Sequence, residues 1–206
     1  MVVKRSLILY LLLLGLIYLS GCAITDYTIT RAYDPQVNKL ENTQNYSICT
    51  KVNYTAEFTS DVRAVGVKKN GYNQETARVY LNDSVENWIL NAFQQELKMA
   101  GYLINDKNAK NQINVTMNVE QFFVEPWVGF WSANLWSILK IETKVEIANK
   151  NEFYIRKFVS YNSKRTPVWP DNMFSDRIIA VAQKTIPDVV RQINILLKEK
   201  TGGNEL

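Results

Sequence analysis

Histidine is missing from all 206 residues, and with it go the commonest general base, the commonest metal ligand and the usual centre of a hydrolase triad. Glycine is scarce at eight residues, and no glycine-rich phosphate loop opens either predicted helix. Basic charge is also thin. The formal net charge is +4, two of those positive charges are Lys4 and Arg5 at the extreme N-terminus, and no Lys/Arg stripe remains to track a phosphate backbone. Nucleic acid is therefore not an expected partner. No cofactor or metal site is expected either, and no catalytic constellation is found.

What the chain does have begins at its N-terminus. Lys4 and Arg5 precede an apolar run from Leu7 to Leu19, and Leu19-Ser20-Gly21-Cys22 follows. A basic start, an apolar segment and small residues before a cleavage point make a secretory signal. The run is shorter than the roughly 20 residues a spanning helix needs, which counts against an uncleaved anchor. An ordinary secreted protein with an incidental Cys22 is the other plain reading. Leu-Ser-Gly-Cys resembles the lipobox of bacterial lipoproteins, which implies that Cys22 is diacylated, becomes the mature N-terminus and is acylated again. Buried acyl methylenes contribute roughly 0.8 kcal/mol each, so a multiply acylated terminus stays in the membrane. Ala23 follows where an Asp would imply inner-membrane retention in enterobacteria, so the resemblance implies an outer-membrane anchor with the body in the periplasm. Cys49 is then an unpaired thiol, expected as a small buried hydrophobe.

The expected organisation is a signal peptide over residues 1–21, a lipidated N-terminus and tether over 22–45, one periplasmic α/β domain over 46–200 and a frayed tail over 201–206. Some of the tether is free to pair as an edge strand. Strands are predicted at Tyr46–Tyr54 and Val62–Lys68, and a short extended piece at 77–81. Asp83 and Glu86 have capping-box spacing, and Val85, Trp88, Ile89, Ala92, Phe93 and Leu97 then recur at helical spacing up to a Gly101 C-cap. Tyr102-Leu103-Ile104 enters a strand. Residues 113–119 and 141–147 alternate strictly, and 153–161 returns as the second arm of an antiparallel hairpin. A last helix runs from about Asp171 or Ser175 to Lys200, with a kink or break expected at Pro187. The predicted fold is an α+β two-layer sandwich, a mostly antiparallel sheet with two amphipathic helices on one face.

Residues 122–136 break this pattern with three of the five tryptophans and no basic residue. They form either a long hairpin connection or an extension of both strands past the sheet. Their rings either fill the core or cap the sheet, or they project as an apolar tip toward a membrane interface, a lipid or a partner. On the second reading Trp127, Phe130, Trp131 and Trp136 are the contact residues. Glu120 and Glu125 flank the segment as ordinary solvated charges, Asp61 and Arg63 suit a local ion pair, and Lys68-Lys69 is expected in a wet turn.

The lipobox, Asp61-Val62-Arg63-Ala64-Val65-Gly66-Val67 before a glycine turn and Glu75-Thr76-Ala77, the helix ending Leu97-Lys98-Met99-Ala100-Gly101-Tyr102 and the alternating strand after it resemble the YajG family of bacterial lipoproteins. The resemblance implies an envelope location and this fold. Two functions are expected from different classes: a non-enzymatic envelope accessory with a protein partner, and an auxiliary lipoprotein that holds acyl chains in lipid or lipopolysaccharide transport. A closed core beside Trp127 to Trp136 favours the first, an apolar groove there the second. Oligomeric state is not encoded in any of these features.

Overall fold

A computed structural model describes residues 25–41, 43, 46–55, 60–106, 109, 111–129, 132–148, 152–167 and 170–201. The signal segment, Cys22, Phe130, Trp131 and the tail after Thr201 lie outside the described residues. In chain order the elements are β1 (Tyr27–Ile29), β2 (Tyr46–Tyr54), β3 (Ala64–Lys69), β4 (Glu75–Leu81), α1 (Val85–Ala100), β5 (Leu103–Ile104), β6 (Asn111–Val128), β7 (Ala133–Ile147), β8 (Glu152–Thr166) and α2 (Asn172–Thr201).

The spine is β6. Its alternating residues Ile113, Val115, Met117, Val119, Phe122, Val124 and Val128 are buried, and the alternation survives a bulge between Val119 and Gln121. One edge of β6 pairs along its length with β7, and β7 pairs with β8, all antiparallel. The other edge is shared: residues 111–119 pair with β2, and Val124 meets Gly66 of β3. That approach requires glycine, because a Cβ on Gly66 would sit 2.3 Å from the Val124 carbonyl oxygen.

The α+β class with two amphipathic helices is correct, but the expected mostly antiparallel sheet is not. Among the described residues β1–β4, β2–β5, β2–β6 and β3–β6 are parallel, whereas β3–β4, β6–β7 and β7–β8 are antiparallel. Parallel neighbours need a crossover, and α1 with β5 lies in the one between β3 and β6. Alternation in a sequence reports a buried face; it carries no information on strand direction. The result is a mixed, curled sheet with two helices. Both helices join its inner face in one core.

Four local expectations are also corrected. Ser84, not Asp83, caps α1: its Oγ accepts from the Asn87 N–H at 3.2 Å, while Glu86 turns away to accept from the Tyr54 N–H at 2.8 Å. Of the kink or break expected at Pro187 the break does not occur: α2 is one continuous helix there, because the proline removes a single backbone donor from a helix held by buried Ile186, Val189 and Val190. Cys49 is half-buried on β2. Finally, residues 25–41 do not form a free tether. Ile29, Tyr33 and Val37 are buried, and the segment is an arm laid across both helices, with Arg31 paired to Asp176 at 2.8 Å and the Gln183 amide donating to the Asp34 carbonyl.

The arm is fixed by one buried carboxylate. Glu96 sits on the apolar stripe of α1 and accepts from the Tyr33 hydroxyl and from the Gln36 and Val37 N–H groups, the last two at 2.8 Å. Burial, together with the Glu96 carboxylate, drives the Tyr33 phenol pKa strongly upward. Tyr33 also meets Trp88 edge-on at 5.9 Å. Further along, the Leu40 N–H and the Thr43 hydroxyl donate to the Ala100 carbonyl, each at 3.0 Å, covering the C-terminus of α1 beside Gly101.

Candidate functional site at the aromatic end of the sheet

The aromatic run is the paired upper half of β6 and β7, with Gln121 to Val128 matched to Ala133 to Lys140. Both strands extend, but within the sheet, since β3 and β8 flank them. Alternation therefore divides the rings between two environments. Phe122 points inward, fully buried and 5.6 Å from Trp88. Phe123 and Trp136 are half-buried on the outer face, 6.5 Å apart, and Trp136 stacks on Tyr161 of β8 at 6.2 Å. Trp127 is 68% exposed. Of the four predicted contact residues, Trp127 and Trp136 thus lie on the outer side; Phe130 and Trp131 fall outside the described residues.

This end is fastened by polar contacts that no local pattern announces. In the β3–β4 turn Asn73 adopts a positive φ of 62°, and its side-chain amide both donates to the Val128 carbonyl and accepts from the Val128 N–H, each at 2.8 Å. It completes the β6 edge beyond Pro126, which has no N–H to offer. Lys69 pairs with Glu125. Lys68, expected in a wet turn, is instead 1% exposed; its ammonium donates to the Thr25 carbonyl at 2.8 Å, pairs with Asp171 at 2.6 Å and lies 5.6 Å from the Tyr27 ring. It ties the arm to the start of α2.

Glu120 is bracketed by Lys140 and Lys157, whose hydrogen bonds hold its carboxyl below the usual range. Asp61 and Arg63 form the expected local pair at 2.9 Å. Among the described residues, no three Cys, Asp or Glu side chains converge as metal ligands would.

Two surfaces escaped the sequence reading. The outer face of β8 shows Phe153, Ile155, Val159 and Tyr161, all more than half exposed. The signal was present: apolar residues occupy both parities of 153–161, so one apolar set had to face outward. The second is an apolar groove of about 210 Å³ between β7, β8 and the C-terminal half of α2, lined by Val145, Tyr154, Phe158, Val189, Ile193 and Leu196 among others. It lies at the far end of the sheet from Trp127. Val145 is nine residues beyond Trp136 on β7, about 30 Å at ~3.3 Å per residue.

A family model described as "Uncharacterized lipoprotein" matches residues 36–194. Among solved structures, protein XCC0632 from Xanthomonas campestris aligns with TM-score 0.60 at 9% identity, over 84% of this chain and 98% of that one. An uncharacterized protein aligns with TM-score 0.50 at 11% identity, over 80% and 99%. A hypothetical protein from Chlamydia trachomatis, CT253, aligns with TM-score 0.44 at 9% identity, over 71% and 94%. At these identities the first two likenesses are of fold alone. No curated protein matches significantly.

Proposed function

We propose that this chain, which belongs to the YajG family of uncharacterized lipoproteins, is an outer-membrane-anchored lipoprotein whose periplasmic domain acts as a non-enzymatic accessory, binding a protein of the envelope. Acylation of Cys22 supplies the anchor. The observation that carries the binding role is the outer face of β7 and β8, where Trp136, Ile138, Val159 and Tyr161 stand together on a side of the sheet that neither helix covers. Contiguous apolar surface of this kind marks interaction sites on otherwise folded proteins. Among the described residues, no helix is long and apolar enough to cross a membrane.

A photo-crosslinking residue at Val159 in the lipidated protein should give a discrete adduct in intact cells, while the same residue at exposed Asn91 on α1 should not. Equal yields at both positions would refute the binding face. A second reading, acyl-chain handling, is favoured by the groove under α2. Its 210 Å³ falls below the roughly 300–1,000 Å³ of ordinary ligand pockets, so the first reading is preferred.

A further inference from the structure

We infer that the domain stands end-on on the bilayer, with the end of the sheet that carries Thr25, Tyr72 and Trp127 resting on the lipid surface. This rests on acylation of Cys22. Strand directions bring the three residues together. β6 ends at Val128, and β3, parallel to it, ends at Lys69 on the same side. β4 returns antiparallel, and β1 runs parallel to β4, so the arm enters the sheet where β3 and β6 leave it. The β3–β4 turn with Tyr72 and the strand end with Trp127 are joined there through Asn73.

The arm is fastened at its first described residue. Thr25 is held by Lys68 at 2.8 Å, and the Asp26 carboxylate accepts from the Arg78 N–H at 2.8 Å. Cys22 lies three positions earlier, and three residues span at most about 11 Å. A headgroup layer is roughly 5–8 Å deep, the difference between a ~30 Å hydrocarbon core and a ~40–45 Å bilayer shared by two leaflets. An acylated Cys22 therefore leaves almost no standoff, and the attached end of the sheet must meet the headgroups.

Its side chains suit that contact. Tyr72 is 86% exposed and Trp127 68%, and Tyr and Trp are the residues that favour the headgroup level. Lys164 and Arg165 are exposed at the same end of β8, Arg165 opposite Asn134, where cations meet lipid phosphates.

The test uses the full acylated protein in phosphatidylethanolamine/phosphatidylglycerol vesicles that contain a spin-labelled lipid. In a Cys49→Ser background, an environment-sensitive dye is placed at Tyr72→Cys, at Trp127→Cys and, at the opposite end of β8, at Phe153→Cys. Quenching several-fold stronger at 72 and 127 than at 153 is expected. Equal quenching at the three positions, or stronger quenching at 153, overturns the end-on arrangement. Mass spectrometry of the N-terminal peptide reads acylation separately: an unmodified Cys22 overturns the anchor and the inference together, whereas an acylated protein quenched mainly at 153 overturns the orientation alone.

Discussion

The two ends of the β6–β7–β8 ribbon both leave apolar side chains facing outward, and they differ in what surrounds them. At the upper end apolar rings alternate along one strand, Phe122 inward and Trp127 outward, and the outward set is left uncovered beside the point where the arm enters. At the lower end apolar side chains of β7 and β8 turn beneath the C-terminal half of α2 and line a groove, while on the outer surface exposed Phe153 and Ile155 stand opposite the paired Glu146 and Lys144. An aromatic run in sequence is thus neither core nor surface by itself. The strand period decides, residue by residue, and neighbouring elements decide which outward rings stay exposed.

The sharpest way to break that comparison is a pair of truncations on one strand. Phe122→Ala should cost about 3–5 kcal/mol of stability, as for other buried large aromatics, while Trp127→Ala should stay within about 0.5 kcal/mol. Chemical denaturation of both variants measures this. Similar costs would mean that the outward ring is packed after all, and the upper end would lose its claim to a free surface.

Next in size are two devices elsewhere in the fold, the close approach of β3 to β6 and the carboxylate that holds the arm. Gly66→Ala forces a Cβ into the Val124 carbonyl, and overpacking of this kind costs about 1–3 kcal/mol. Amide exchange should quicken in β3 and β4 and leave the lower end of β8, around Phe153, unchanged; a shift that reaches it would show that the ends are not separate. Glu96→Gln keeps the volume but offers one carbonyl oxygen to three donors, so about 1–3 kcal/mol should be lost. Protection of the Gln36 and Val37 amides should fall most.

The smallest effect is alkaline. Burial drives the Tyr33 phenol up, aided by Glu96, and burial likewise drives up Tyr102, whose hydroxyl donates to Asn194 at 3.1 Å. A phenol kept neutral in the fold gives stability that is fully present below the unfolded pKa of about 10 and is lost as pH rises toward the folded value. Melting temperature should therefore fall above pH 10, and less steeply in Tyr33→Phe. An unchanged slope in that variant would remove Tyr33 from the effect.

Much of this was legible in the residues. Strict alternation at 113–119 and 141–147 located the long strands, helical spacing from Val85 to Leu97 with Gly101 located α1, and the family followed from loose motifs around 61–77 and 97–102. Strand direction was not legible, because pairing partners far apart in sequence leave no local mark. The arm was misread for a related reason. Its polar look hides that Tyr33 and Val37 are buried, and the clue lay elsewhere, in Glu96, a carboxylate on the apolar stripe of a helix sixty residues away. Lys68 is the same case, a cation whose partners, Thr25 and Asp171, come from both ends of the chain.

The most direct measurement is neutron reflectometry of the acylated protein on a supported phosphatidylethanolamine/phosphatidylglycerol bilayer. The 18 residues of β6 extend about 50–60 Å at ~3.3 Å each, so a domain standing on its Trp127 end should give a protein layer approaching that thickness, in contact with the headgroups. A layer only about 20–30 Å thick, close to one sheet with one layer of helices, or a water gap of comparable depth beneath the protein, would contradict the arrangement.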